Sequence, residues 1–124
     1  MIHEEICTYE VCKLAKEKGF PQDVFGTCEM KSSCYLEDGR YYKDGCIYPI
    51  ENAYSAPTQS LLQRWLREEK NIDIAIVPLY TGGYSYIVYN IHCRDNRVVN
   101  TNAGYDTYEL ALEDALAYSL KNLV

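Results

Sequence analysis

Apolar residues recur at helical spacing in three stretches of the chain and at alternate positions between the second and third. In the first stretch, Val11, Leu14 and Ala15 form one stripe. Thr8 stands where an N-cap side chain would accept a backbone N–H, with Glu10 facing the positive end of the helix dipole. Gly19 suits a left-handed residue past the helix end, Phe20 can fold back toward Leu14 or Ala15, and Pro21 forbids continuation. The spacing predicts a helix over about residues 8–18. In that register Cys7 and Cys12 occupy the two positions of a hydrophobic staple. Reduced cysteine behaves as a small hydrophobe, so the pair reads as packing and not as ligands.

The second half carries a clearer pattern. Thr58 or Ser60 caps a helix that places Leu61, Leu62, Trp65 and Leu66 on one face, and Asn71 is a left-handed stop. The β-branched run Ile72-Asp73-Ile74-Ala75-Ile76-Val77-Pro78-Leu79-Tyr80 follows, with Pro78 suited to an edge or a bulge. Thr81-Gly82-Gly83 is a tight turn. Tyr84 to His92 forms the return strand, with Tyr84, Tyr86 and Val88 on one face and Ile87, Tyr89 and Ile91 on the other. Arg97 to Thr101 is a candidate third strand. The last helix begins at Asp106 or Thr107, where Asp106-x-x-Glu109 has capping-box spacing, and it buries Leu112, Ala115, Leu116, Leu120 and Leu123.

Residues 22–57 read as an irregular, tyrosine-rich segment. Two turn signals, Asp38-Gly39 and Asp44-Gly45, compete within it. Cys34-Tyr35-Leu36 pairs with Arg40-Tyr41-Tyr42 across the first, or Tyr41-Tyr42 with Cys46-Ile47-Tyr48 across the second. The expected fold is α+β: an antiparallel hairpin or three-stranded sheet with about three helices packed mainly on one face, and an αβββα-like C-terminal half. A length of 124 residues suits a single domain.

Charge narrows the partners. The formal net charge is −6. Both halves are acidic, with six Lys/Arg against ten Asp/Glu over residues 1–57 and six against eight over 58–124. Phosphate backbones attract clustered Lys/Arg, so this balance argues against nucleic acid as a main partner. The longest apolar stretch, Ile74 to Tyr80, falls far short of the ~20 residues of a membrane-spanning helix. The acidic start, Met1-Ile2-His3-Glu4-Glu5, is followed by no apolar signal core, so a cytoplasmic location is the expectation. Reduced thiols go with that compartment.

No catalytic, cofactor or metal site emerges from the candidate residues. Cys28, Cys34, Cys46 and Cys93 would need to converge to hold zinc, and their spacings lack any C-x2-C pair. A cysteine nucleophile would need His3 or His92. His92 and its neighbour Cys93 point to opposite faces of a strand and cannot form a dyad with each other. The adjacent acids Glu68-Glu69 and Glu113-Asp114 read as solvated helix faces, and Gly82-Gly83 as a turn with no phosphate-loop lysine.

Thirteen tyrosines are the compositional oddity. Tyr80, Tyr84, Tyr86 and Tyr89 cluster on the hairpin, and Tyr35, Tyr41, Tyr42 and Tyr48 in the middle segment. Cross-strand aromatic packing accounts for such clusters, and a face left open would serve a protein partner, including a second copy of the chain.

Two resemblances bear on function. The helix–strands–helix order over residues 58–122 is shared with double-stranded-RNA-binding domains, but Asp106, Glu109, Glu113 and Asp114 stand where those domains present basic residues to phosphate. The stretches Tyr9–Phe20, Ser55–Glu68 and Tyr105–Leu112 carry a lysine-rich helix ending Lys-Gly-Phe, an Ala-Pro-Thr helix start and a Tyr-x-Thr-x-Glu helix start. In these the chain resembles small uncharacterised proteins encoded by phages, prophages and mobile elements of gut bacteria. The resemblance implies a mobile-element protein, most simply a non-catalytic accessory module that binds another protein, and it carries over no site residue.

Overall fold

The computed structural model describes residues 5–22, 24–25, 29–30, 33–42, 53–90, 93–99 and 104–124. The fold is α+β. It divides into two compact units, Ile6–Thr58 and Met1–Glu5 with Gln59–Val124. The boundary falls where the expected helix–hairpin–helix segment begins.

In the first unit, helix α1 spans Tyr9–Glu17. The Thr8 hydroxyl accepts from Val11 N–H. At the other end, Phe20 N–H donates to Ala15 O at 2.9 Å and Gly19 N–H to Lys16 O at 3.2 Å, with Gly19 at φ 95°. These two bonds are a Schellman stop, which satisfies carbonyls the helix itself leaves open. Cys7 and Cys12 are both fully buried, and the Cys12 thiol donates to Cys7 O at 3.7 Å, which brings the two staple positions together.

Short strands β1 (Val24–Phe25) and β2 (Glu29–Met30) pair with each other. Strand β3 (Cys34–Leu36) pairs with β4 (Tyr41–Tyr42) on one side and β5 (Ala53–Ser55) on the other, antiparallel in both cases. The β3–β4 connection uses the Asp38-Gly39 signal: Gly39 lies at φ 89° and Leu36 N–H donates to Arg40 O at 2.9 Å. The competing pairing across Asp44-Gly45 lies outside the described residues. Helix α1 packs on β5. The described core of this unit is built mostly from small side chains: Cys7, Cys12, Cys34, Ala15, Ala53 and Ala56, with Val11, Phe20 and Leu36.

In the second unit, α2 spans Gln59–Glu69 and ends at Asn71, the one non-glycine residue at positive φ (58°) among the described residues. Strand β6 (Ile72–Pro78) pairs antiparallel with β7 (Tyr84–Asn90) from Ile72↔Asn90 to Pro78↔Tyr84. Strand β8 (Cys93–Val99) pairs on the other side of β7, with an irregularity at Tyr89/Asn90. It starts earlier than the expected Arg97. Helix α3 (Tyr108–Asn122) closes the unit.

The directly opposed residues Ile74↔Val88 and Ile76↔Tyr86 point to one face. Ile72, Ile74, Tyr86 and Val88 are buried on that face, while α2 packs on β6 and α3 on β6 and β7. The expectation of about three helices on one sheet is therefore revised, because α1 packs on β5 in the other unit. Leu62, Leu66, Leu116 and Leu120 are fully buried. Each contributes about 1.5–3 kcal/mol by leaving water.

Two side chains depart from the expected stripes. Leu61 is 52% exposed, because Gln59, Leu62 and Leu66 define the inward line of α2 and Leu61 lies about 100° around the helix from Leu62. Leu123 is 43% exposed, since the helix ends at Asn122 and Leu123 is its C-cap. The start of α3 is decided in favour of Thr107, whose hydroxyl accepts from Leu110 N–H at 3.1 Å. No described helix is long and apolar enough to cross a membrane.

Candidate interaction surface

Only some of the residues weighed for chemistry fall among the described ones. Cys28, Cys46, His3 and His92 lie outside the described residues. Cys34 is fully buried on β3, and Cys93 opens β8 opposite Asn90. Among the described residues no group of three or more His, Cys, Asp or Glu side chains is placed to hold a metal ion.

The acid pairs have separate duties. Glu68 accepts from the Arg64 guanidinium at 3.2 Å across one helical turn, an exposed pair worth only a few tenths of a kcal/mol. Glu113 and Asp114 were expected on a solvated helix face; Asp114 is exposed, and Glu113 departs from the expectation. Glu113 is half-buried and accepts from Gln59 Nε2 at 3.2 Å, while Asp114 accepts from the Tyr105 hydroxyl. The cause is helical geometry, since successive residues on α3 face directions about 100° apart and so meet different neighbours.

Most described tyrosines spend their rings on one another. In the first unit Tyr35 meets Tyr9 at 5.9 Å and Tyr41 at 5.1 Å between ring centroids, and Tyr9 also meets Tyr54 at 5.8 Å. Lys16 lies over the Tyr54 ring and donates to Ala53 O. The Tyr35 hydroxyl donates to Cys7 O, which ties the aromatic layer to the start of α1. Burial, then the nearby Tyr9, raises the Tyr54 phenol above its usual range. In the second unit Tyr84 meets Tyr108 and Tyr86 meets Tyr105. Burial, then the Asp114 carboxylate, pushes Tyr86 up to about 12. Tyr80, at the hairpin turn, is fully exposed.

The turn itself is packed tightly. Gly83 sits at φ 82°, and a Cβ there would lie 2.7 Å from Tyr105 O. Tyr84 and Tyr105 exchange two backbone hydrogen bonds beside it, of 2.8 and 2.7 Å. The glycine therefore lets the chain leading into α3 reach the start of β7.

A surface groove of about 160 Å3 opens in this unit, between the first turns of α2 and α3. Glu5, Gln59, Gln63, Tyr108, Glu109 and Leu112 line it, with no lysine or arginine among the described residues. Gln59 is 4% exposed. Its Nε2 donates to Glu109 O at 2.9 Å as well as to Glu113, while its backbone N–H donates to Glu5 O at 2.8 Å. Gln63 Nε2 donates to Ile74 O at 3.0 Å. Around this end Leu61, Tyr108 and Leu110 are 52%, 43% and 53% exposed.

Sequence reasoning passed over Gln59 and Gln63. Their signal was present, as two amides one helical turn apart beside the Leu62–Leu66 stripe, but nothing local tells a buried amide from a solvated one. Comparison with protein-family models, curated proteins and solved structures finds no match.

Proposed function

We propose that this chain is a non-catalytic protein-interaction module of a phage-like or mobile element. It works in the cytoplasm and binds a protein partner at the end of the second unit where α2 and α3 begin. In this reading β6, β7 and β8 act as one three-stranded antiparallel sheet that backs the two helices. The observation that carries it is the exposure of Leu61, Tyr108 and Leu110 on first turns that Gln59 bonds together. Single exposed apolar residues are ordinary, whereas three large ones on two adjoining first turns favour a contact surface. The mobile-element origin rests on the resemblance in the Tyr9–Phe20, Ser55–Glu68 and Tyr105–Leu112 stretches.

The test is co-expression with the products of neighbouring genes, read by co-elution, together with light scattering over a range of concentrations. A partner, or a second copy, that holds wild-type chain and loses the Leu61→Ser/Leu110→Ser variant supports the reading. Retention of the partner by that variant overturns it. Salt-sensitive binding to duplex RNA would replace it with the αβββα nucleic-acid reading, against which the acidic start of α3 argues.

A further inference from the structure

We propose that the groove between the first turns of α2 and α3 receives an arginine side chain from a basic segment of a partner protein. This deepens the interaction reading above and rests on it.

The carboxylates of the groove suit a guanidinium. Glu5 and Glu109 line it, both exposed, and among the described residues neither makes an ion pair. Gln59 supplies an independent indication. Both of its Nε2 partners, Glu109 O and the Glu113 carboxylate, are acceptors, which fixes the orientation of the amide. Both amide hydrogens are used there, so the side chain has only Oε1 left to offer. Gln59 as a whole is 4% exposed, and this oxygen accepts no hydrogen bond among the described residues. Gln59 lines the groove, which leaves this oxygen as its remaining acceptor for an entering donor.

The walls match the rest of an arginine. The Tyr108 ring, 43% exposed, offers a face for the planar guanidinium to stack on. Leu112, 3% exposed, gives the methylene stem an apolar floor. At about 160 Å3 the groove has room for one side-chain head and not for a helix.

Helix dipoles oppose a cation here, but by less than the carboxylates attract it. Two N-termini bring roughly +0.5 charge each, already partly met by Glu109 in the first turn of α3, against two full negative charges. The chain's net charge of −6 adds attraction at a distance.

The experiment is an NMR titration of the full 15N-labelled chain with a short peptide alternating arginine and glycine. Two control peptides carry citrulline, which keeps the shape and loses the charge, or lysine in place of arginine. The expected result is saturable shifts centred on the amides of Ser60, Gln63, Tyr108 and Glu109. The dissociation constant should rise about tenfold in Glu5→Gln/Glu109→Gln and with citrulline, and severalfold with lysine, about 1.4 kcal/mol for the tenfold change. Both substituted residues are exposed, so the variant's dispersed spectrum reports that it stays folded. Shifts spread over acids at the far end of α2, such as Glu68 and Glu69, overturn the proposal, as do equal affinities for the double variant or for citrulline. If the peptide misses the groove while Leu61→Ser/Leu110→Ser still loses a protein partner, the arginine site fails and the interaction module stands. If that variant also keeps its partner, the module fails.

Discussion

Gln59 donates through its buried amide to the backbone oxygen of Glu109 at 2.9 Å, joining the first turns of two helices whose contacting residues are fifty positions apart. The bond does two things at once. It meets a hydrogen-bond acceptor in the first turn of α3, and it holds the groove walls in register.

Removing that amide should therefore be costly for a polar residue at a helix start. Gln59→Ala leaves the half-buried Glu113 carboxylate without its amide donor and removes the bond across to the Glu109 carbonyl, which keeps its place in the helix. A loss of about 1–3 kcal/mol is expected, read as a lower urea midpoint with unchanged slope. Gln59→Glu should lose more, because a carboxylate would face Glu113.

The phase of α2 gives a second contrast. Leu66 is fully buried and Leu61 is 52% exposed. Leu66→Ala should cost about 2–5 kcal/mol by leaving a cavity. Leu61→Ala should stay within about 0.5 kcal/mol. Parallel thermal melts of the two variants check this, and equal losses would mean that the helix is rotated.

Adjacent glycines in the β6–β7 turn should differ sharply. Gly82 and Gly83 both lie at positive φ, but only at Gly83 does an added Cβ meet backbone, 2.7 Å from Tyr105 O. Gly82→Ala should cost about 1–2 kcal/mol from the left-handed conformation alone. Gly83→Ala should cost more, with added hydrogen exchange at Tyr84 and Tyr105, whose mutual bonds must shift.

Tyr86 makes stability fall at high pH. Burial, with the Asp114 carboxylate beside it, pushes its phenol up to about 12, whereas in the unfolded chain it titrates near its usual value of about 10. Below about pH 10 both states hold the proton. Between there and about 12 the unfolded chain releases it while the folded chain does not, so the unfolded state binds fewer protons and stability drops as pH rises. Tyr86→Phe should flatten that part of the curve. Urea midpoints of both proteins, followed through the alkaline range, give the difference.

Local signals fixed a good deal of this molecule. Thr8 and Thr107 cap, Gly19 and Asn71 stop, and Thr81-Gly82-Gly83 turns, all for reasons contained within a few residues. The Ile72–Pro78 alternation likewise sets which of its side chains share a face. The Cys7–Cys12 staple is legible in the same way, because it depends only on the register of one helix.

The chain order alone thus determined the two ends of α1 and the turn between β6 and β7, since caps, left-handed stops and side-chain periodicity act over less than two turns. Only the tertiary structure decided which apolar residue stayed outside. Leu61 and Leu62 are equally apolar neighbours, and only the packing of α2 on β6 distinguishes them. It also decided that Glu113 and Asp114 serve different partners and that Gln59 is buried with one oxygen unmet. Those outcomes depend on segments far apart in sequence arriving at one place, and no spacing within a single helix encodes that.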